Sequence, residues 1–185
     1  MQKLTAIKHE EATGKAKELL DGVNAKIGFV PNMMATMASS TAVLEGYLNL
    51  SGALGHSLNA KLREQIALTV AEINGCQYCA SAHSAIGKMV GLDEHSVEDA
   101  RRASSHDAKI DAALKFAKAL VISRGKVSES DFEAVKSAGY SEKEISEIVA
   151  NVALNVFTNY FNETAGTVVD FPAIEFPLVS KGAHA

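Results

Sequence analysis

Cysteine is nearly absent from this chain: its 185 residues hold two, Cys76 and Cys79, three positions apart. A disulfide scaffold needs more cysteines at wider spacing in a small secreted chain. A bridge closing so short a loop also adds little stability by chain entropy, so fold stapling does not account for the pair. Proline is as scarce. Pro31, Pro172 and Pro177 leave about 140 residues between the first two free of the strongest helix breaker. An excess of positive charge is missing too: the net charge is −4 and the pI about 5.9, which offers no footprint for nucleic acid or an anionic membrane. No apolar run approaches the roughly 18 residues of a membrane span. The longest apolar segment, near Ile148 to Phe161, is interrupted by Asn151, Asn155 and Asn159. The amino terminus, MQKLTAIKHEEATGKAKELL, is charged by Lys8 and has no apolar stretch of the signal-peptide kind. These absences point to a cytoplasmic protein whose partners are small molecules or other proteins, not nucleic acid or membrane.

What is present fits one globular domain over residues 1–185, with 47% hydrophobic and 22% charged residues. Strand signals are few, and apolar residues recur at helical spacing between recognisable caps, which predicts an all-α domain. Helices are expected at 10–26, 32–37, 41–54, 59–73, 77–90, 94–102, 107–124, 129–138 and 142–162. Ser141 with Glu144, and Ser128 with Asp131, have capping-box spacing. Gly75, Gly91, Gly125 and Gly139 fall where helices should stop. From about residue 171 to 185 an extended tail with a frayed end is expected. An offset of 83 residues aligns Glu64, Ala67 and Ala82 with Glu147, Ala150 and Ala165. It sets the two cysteines against Asn159 and Asn162. Duplication and shared helical periodicity both explain so faint a match. The Met-bearing stretch VPNMMATMASSTAVL suits a core helix, a subunit interface or a substrate mouth.

Chemistry concentrates in a redox core at about 58–92. On the helix from Leu62 to Ile73 both faces are mostly apolar, as expected of a helix buried on two sides. Glu64 on that helix is then either a carboxylate in apolar surroundings, needing a partner, or a charge at an exposed helix start. Asn74-Gly75 ends the helix. Cys76 follows at the expected N-cap of the next helix and Cys79 in its first turn, where free N–H groups and the helix dipole stabilise a thiolate. His83 lies one turn after Cys79 and is placed to take its proton and return it to a leaving oxygen. If the two helices fold back about Asn74-Gly75, Glu64, His83 and Cys79 form a carboxylate–imidazole–thiol line. The dipole favours Cys76 as the nucleophile, whereas the histidine spacing favours Cys79. Three other readings remain open. Cys76, Cys79 and His83 are zinc-ligand types that would need a fourth ligand from His56, His95, His106 or Glu64. A thioredoxin-like motif would need a βαβ context. Two small thiols can also simply fill a core.

Glu64, Cys76, Tyr78, Cys79 and His83, with GFVPNMM before them and FNETAGTVVDFP after, resemble the AhpD-like alkylhydroperoxidases of the carboxymuconolactone decarboxylase superfamily, in particular its peroxidase-related branch. The resemblance implies an all-helical fold and homo-oligomers, often trimers or hexamers. It implies a cofactor-free, metal-free peroxidase acting on alkyl hydroperoxides or hydrogen peroxide. Cys79 would attack the peroxide and Cys76 close the disulfide, with Glu64 and His83 relaying protons. A dithiol protein or lipoyl-type donor would regenerate the thiols. One departure stands out: Tyr78 occupies the position of a second histidine in the best-known members, and a phenol is a poor base at neutral pH. A non-enzymatic redox sensor or disulfide-exchange module is the alternative function.

Overall fold

The computed structural model describes residues 2–178, and among them every regular element is helical. Nine α-helices follow a short 3-10 turn at His9–Glu11: α1 Gly14–Ile27, α2 Asn32–Met37, α3 Thr41–Leu54, α4 Ala60–Ile73, α5 Gln77–Met89, α6 Glu94–Arg101, α7 Ala108–Ile122, α8 Glu129–Ser137 and α9 Glu142–Ala165. Two expectations need correction. The first expected helix, 10–26, is broken, because Thr13 is extended and α1 begins only at Gly14, which takes a left-handed φ of 54°. The last helix runs past Asn162 to Ala165 and stops at Gly166, whose left-handed conformation closes it. Both capping boxes form, at Ser128 with Asp131 and at Ser141 with Glu144.

Two apolar clusters share α4 as their wall. Leu62, Ile66, Leu68 and Val70 of α4 pack with Leu114 and Phe116 of α7, Val135 of α8 and Ile148 of α9. On its other side Ala71 joins Leu20 and Val23 of α1, Met33, Met34 and Met37 of α2, Leu44 of α3, and the two cysteines. Every residue from Gln65 to Ala71 is buried, as the two-sided apolar pattern requires. Each fully buried Leu or Ile there contributes about 1.5–3 kcal/mol by removal from water. The three methionines of α2 are buried in this core, in the cluster that holds the two cysteines.

α9 supplies the polar seam of the molecule. Asn151, Asn155, Asn159 and Asn162 are all buried on it, at spacings that keep them near one face. Asn151 and Asn155 each donate to a backbone carbonyl one turn back, at 2.8 Å. The helix is unbroken at Phe157 and Thr158, the residues an 83-residue duplication would align with the Asn74-Gly75 turn, so the two halves do not share a hairpin. Its last turn is tied to the amino terminus: the Lys3 and Leu4 N–H groups both donate to the Ala165 carbonyl, at 2.7 and 3.1 Å.

Beyond α9 the chain is irregular and returns across the bundle. Phe171, Ile174 and Phe176 pack on the second cluster. The buried Arg101 guanidinium pairs with Glu72 at 2.8 Å and donates to the Glu175 carbonyl at 2.8 Å. The Leu178 N–H donates to Glu72 at 2.6 Å. The fraying expected of the tail falls on 179–185, outside the described residues. None of the described helices is long and apolar enough to cross a membrane.

Candidate active site

The site begins with how α4 stops. Gly75 takes a φ of 71°, its N–H donates to the Glu72 carbonyl, and the Cys76 N–H donates to the Ala71 carbonyl at 2.9 Å. That pair of bonds is a Schellman closure, and it turns the chain so that α5 folds back along α4. Cys76 is the N-cap of α5, with its sulfur accepting the Cys79 N–H at 3.2 Å. Cys79 sits in the first turn, and the two cysteines are joined as a disulfide. Both are buried.

The hairpin brings Glu64 to His83. The Glu64 Oε2 and His83 Nδ1 atoms are 2.7 Å apart, with side chains 16% and 23% exposed. Of the two readings of Glu64, the partnered carboxylate is the one found; it does not stand free at a helix start. With Nδ1 engaged by the carboxylate, the ring is held in one orientation and its Nε2 is left for other chemistry. His83 is also the more open member of the group, which makes its side the solvent edge of a site whose sulfurs are covered.

Tyr78 faces away from that chemistry. It is buried, its hydroxyl accepts the Met33 N–H at 3.2 Å, and the Asp170 carboxylate lies near enough to act on it. Asp170 in turn accepts the Asn32 N–H at 2.6 Å, and Phe171 lies edge-on to the Tyr78 ring at 5.7 Å. Burial first, and the Asp170 charge after it, push the phenol well above its ordinary pKa. Tyr78 therefore stays neutral and acts as a strut between α5, α2 and the carboxyl-terminal segment.

Two asparagines of α9 complete the surroundings, and neither stands out in the sequence as a site residue. The Asn74 side chain donates to Asn159 Oδ1 at 3.0 Å, fixing the turn before Cys76. The Asn162 side-chain amide donates to the Cys79 sulfur at 3.2 Å. Asn162 Oδ1 and Asn159 Nδ2 are buried without a protein partner. A signal was available: four asparagines at helical spacing in an otherwise apolar segment must find polar partners inside the fold.

The histidines considered as extra metal ligands do not gather at the cysteines. His56 is exposed on the turn after α3. His95 and His106 meet each other at 2.9 Å, and both approach Asp99 of α6, at 3.5 and 3.6 Å. Two hollows on the surface, of about 400 Å³ beside Phe29 and about 600 Å³ beside Tyr140, have none of Glu64, Cys76, Cys79 or His83 in their walls.

Comparison with known proteins bears on this arrangement. The Carboxymuconolactone decarboxylase family matches residues 41–121, a span that contains Glu64, both cysteines and His83. Among solved structures, an uncharacterised peroxidase-related protein from a Silicibacter species is 25% identical, covers 90% of this chain and 92% of its own, and has a TM-score of 0.78. An uncharacterised peroxidase-related protein from Ralstonia eutropha, described as an alkylhydroperoxidase AhpD core, is 23% identical over 91% of this chain and 92% of its own, with a TM-score of 0.81. The debrominase Bmp8, solved in complex with 2,3,4-tribromopyrrole, is 23% identical over 90% and 91%, with a TM-score of 0.78. The last two likenesses speak to the fold alone. No curated protein matches the sequence.

Proposed function

We propose that this chain is an AhpD-like member of the carboxymuconolactone decarboxylase superfamily, whose family model matches residues 41–121, and that Cys76 and Cys79 run a dithiol–disulfide cycle that reduces peroxides. The observation that carries this reading is the Glu64–His83 pair held at 2.7 Å, one helical turn from a cysteine pair that opens α5. A carboxylate-oriented imidazole beside a thiol is the arrangement that generates a thiolate and later returns the proton.

In the reduced protein His83 takes the Cys79 proton, and the Cys79 thiolate attacks one peroxide oxygen. The O–O bond breaks, the departing alkoxide takes the proton from His83 and leaves as the alcohol, and Cys79 becomes a sulfenic acid. The Cys76 sulfur then attacks the Cys79 sulfur. The sulfenic hydroxyl leaves and, with the Cys76 proton, becomes water as the S–S bond forms. One hydroperoxide and two thiols thus give one alcohol, one water and the disulfide. A dithiol reductant, a protein or a lipoyl-type donor, reverses the last bond. The covered sulfurs favour small hydroperoxides or hydrogen peroxide, approaching from the His83 side. A homo-oligomer, trimer or hexamer, belongs to the same proposal.

The test is peroxide consumption with a dithiol reductant, comparing wild type with Cys79→Ser and Cys76→Ser. Turnover in the wild type and loss in both variants is expected. If one equivalent of peroxide leaves both thiols titratable, the cycle is refuted. Tribromopyrrole with the same reductant serves as the comparison substrate, because the debrominase Bmp8 has this fold. Debromination without peroxide consumption would replace the peroxide reading.

A further inference from the structure

We infer that Asn162 is a catalytic residue of this site: its carboxamide N–H holds the charge on the Cys79 sulfur and makes Cys79, not Cys76, the attacking thiolate. The inference rests on the dithiol reading above and deepens it.

The two sulfurs have different donors. Cys76, at the helix cap, accepts a backbone N–H and sits at the positive end of the α5 dipole. On that ground alone Cys76 would be the easier thiolate. Cys79 lies one turn inside, and its side-chain donor comes from another helix altogether, the Asn162 amide at 3.2 Å. A neutral disulfide sulfur is a weak acceptor and gains little from that bond. Once the S–S bond is reduced, negative charge develops on the atom the amide already faces, and no reorganisation is needed. Hydrogen bonding to an ionised group is the stronger kind and lowers the pKa of an acid that ionises into it.

Asn162 is built to hold that position. Its side chain is 2% exposed, so water does not compete for the sulfur. Its own carbonyl accepts the Gly166 and Thr167 N–H groups, which anchor the residue at the end of α9. Its Oδ1 is buried with no partner. A hydroperoxide arriving at Cys79 carries one O–H, the group that this oxygen lacks. Donor and acceptor of one carboxamide thus match the thiolate and the incoming peroxide together. The base remains His83, oriented by Glu64.

The experiment is a thiol titration in a Cys76→Ser background, where Cys79 is the single cysteine. Thiolate absorbance and the pH dependence of alkylation rate are read for Asn162 intact, Asn162→Ala and the shape-preserving Asn162→Leu. Asn155→Leu serves as control, since Asn155 is buried on the same helix and bonds the Asn151 carbonyl, not sulfur or the turn before Cys76. Both Asn162 substitutions are expected to raise the Cys79 pKa by about one unit and to slow alkylation at neutral pH by up to about tenfold. Asn155→Leu should leave both unchanged. An unmoved pKa in the Asn162 variants, or an equal rise from Asn155→Leu, overturns the assignment. Peroxide consumption by the wild type is measured alongside and tests the cycle itself, so either idea can fail alone.

Discussion

Tyr78→Phe separates a structural role from a chemical one. The substitution removes the one oxygen that accepts the Met33 N–H at 3.2 Å, beside the Asp170 carboxylate. The ring and its edge contact with Phe171 remain. A buried N–H left without an acceptor costs about 1–3 kcal/mol, so Tyr78→Phe should be less stable by that amount at pH 7. The pH dependence adds a second number. Burial holds the folded-state phenol above its unfolded value near 10, so its contribution is fully present below pH 10 and is lost as pH rises toward the folded value. Between pH 10 and 11 the unfolded chain ionises at this residue while the folded one does not. Between pH 7 and pH 11 the wild type therefore loses about 1.4 kcal/mol that the Phe variant keeps, about 1 kcal/mol of it above pH 10, and the gap between them narrows by that amount. Tyr47 and Tyr140 are raised by desolvation as well, Tyr140 to about 12, but both residues are common to the two proteins and cancel in the difference. Urea unfolding of the two proteins at pH 7, 10 and 11 provides the measurement, with peroxide consumption at pH 7 beside it. A gap that stays constant with pH, or a variant of full stability that has lost turnover, would refute the strut.

Glu64→Gln keeps the shape of the His83 partner and removes its charge. Turnover should fall by about tenfold to a hundredfold with a nearly unchanged melting temperature, and undiminished peroxide consumption would take the carboxylate out of the relay. Arg101→Met strands the mostly buried Glu72 carboxylate and cuts the bond to the Glu175 carbonyl. Stability should drop by about 3 kcal/mol and residues 171–178 should become open to protease; an unaltered urea midpoint with a protected tail would show that the pair contributes little.

How far the sequence reached depends on how local the cause was. Helix ends at Gly75, Gly91, Gly125 and Gly139 were legible because a left-handed residue announces itself by lacking a Cβ, and all four have positive φ. The Glu64–His83 meeting was also legible, because equal rise along two adjoining helices sets it once the turn between them is assumed. The break before α1 lay in the same kind of signal, Thr13-Gly14, overridden by the apolar period around it. Tyr78 and Cys79 were different. Their partners Met33, Asp170 and Asn162 come from segments tens of residues away, and only the packing of α2, α5 and α9 brings them together. The asparagines of α9 looked like interruptions of an apolar run, when they are the polar lining that run requires.

The bond from Lys3 and Leu4 to the Ala165 carbonyl has a practical side. It grips the final turn of the helix whose Asn162 touches sulfur, so the front of the chain is mechanically in series with thiol reactivity. An affinity handle fused there, or a few residues trimmed away, disturbs the bonds that hold the helical turn carrying the carboxamide. Preparations that differ solely in their leading residues are distinct reagents for redox work, and their rates should be compared only after that end has been matched.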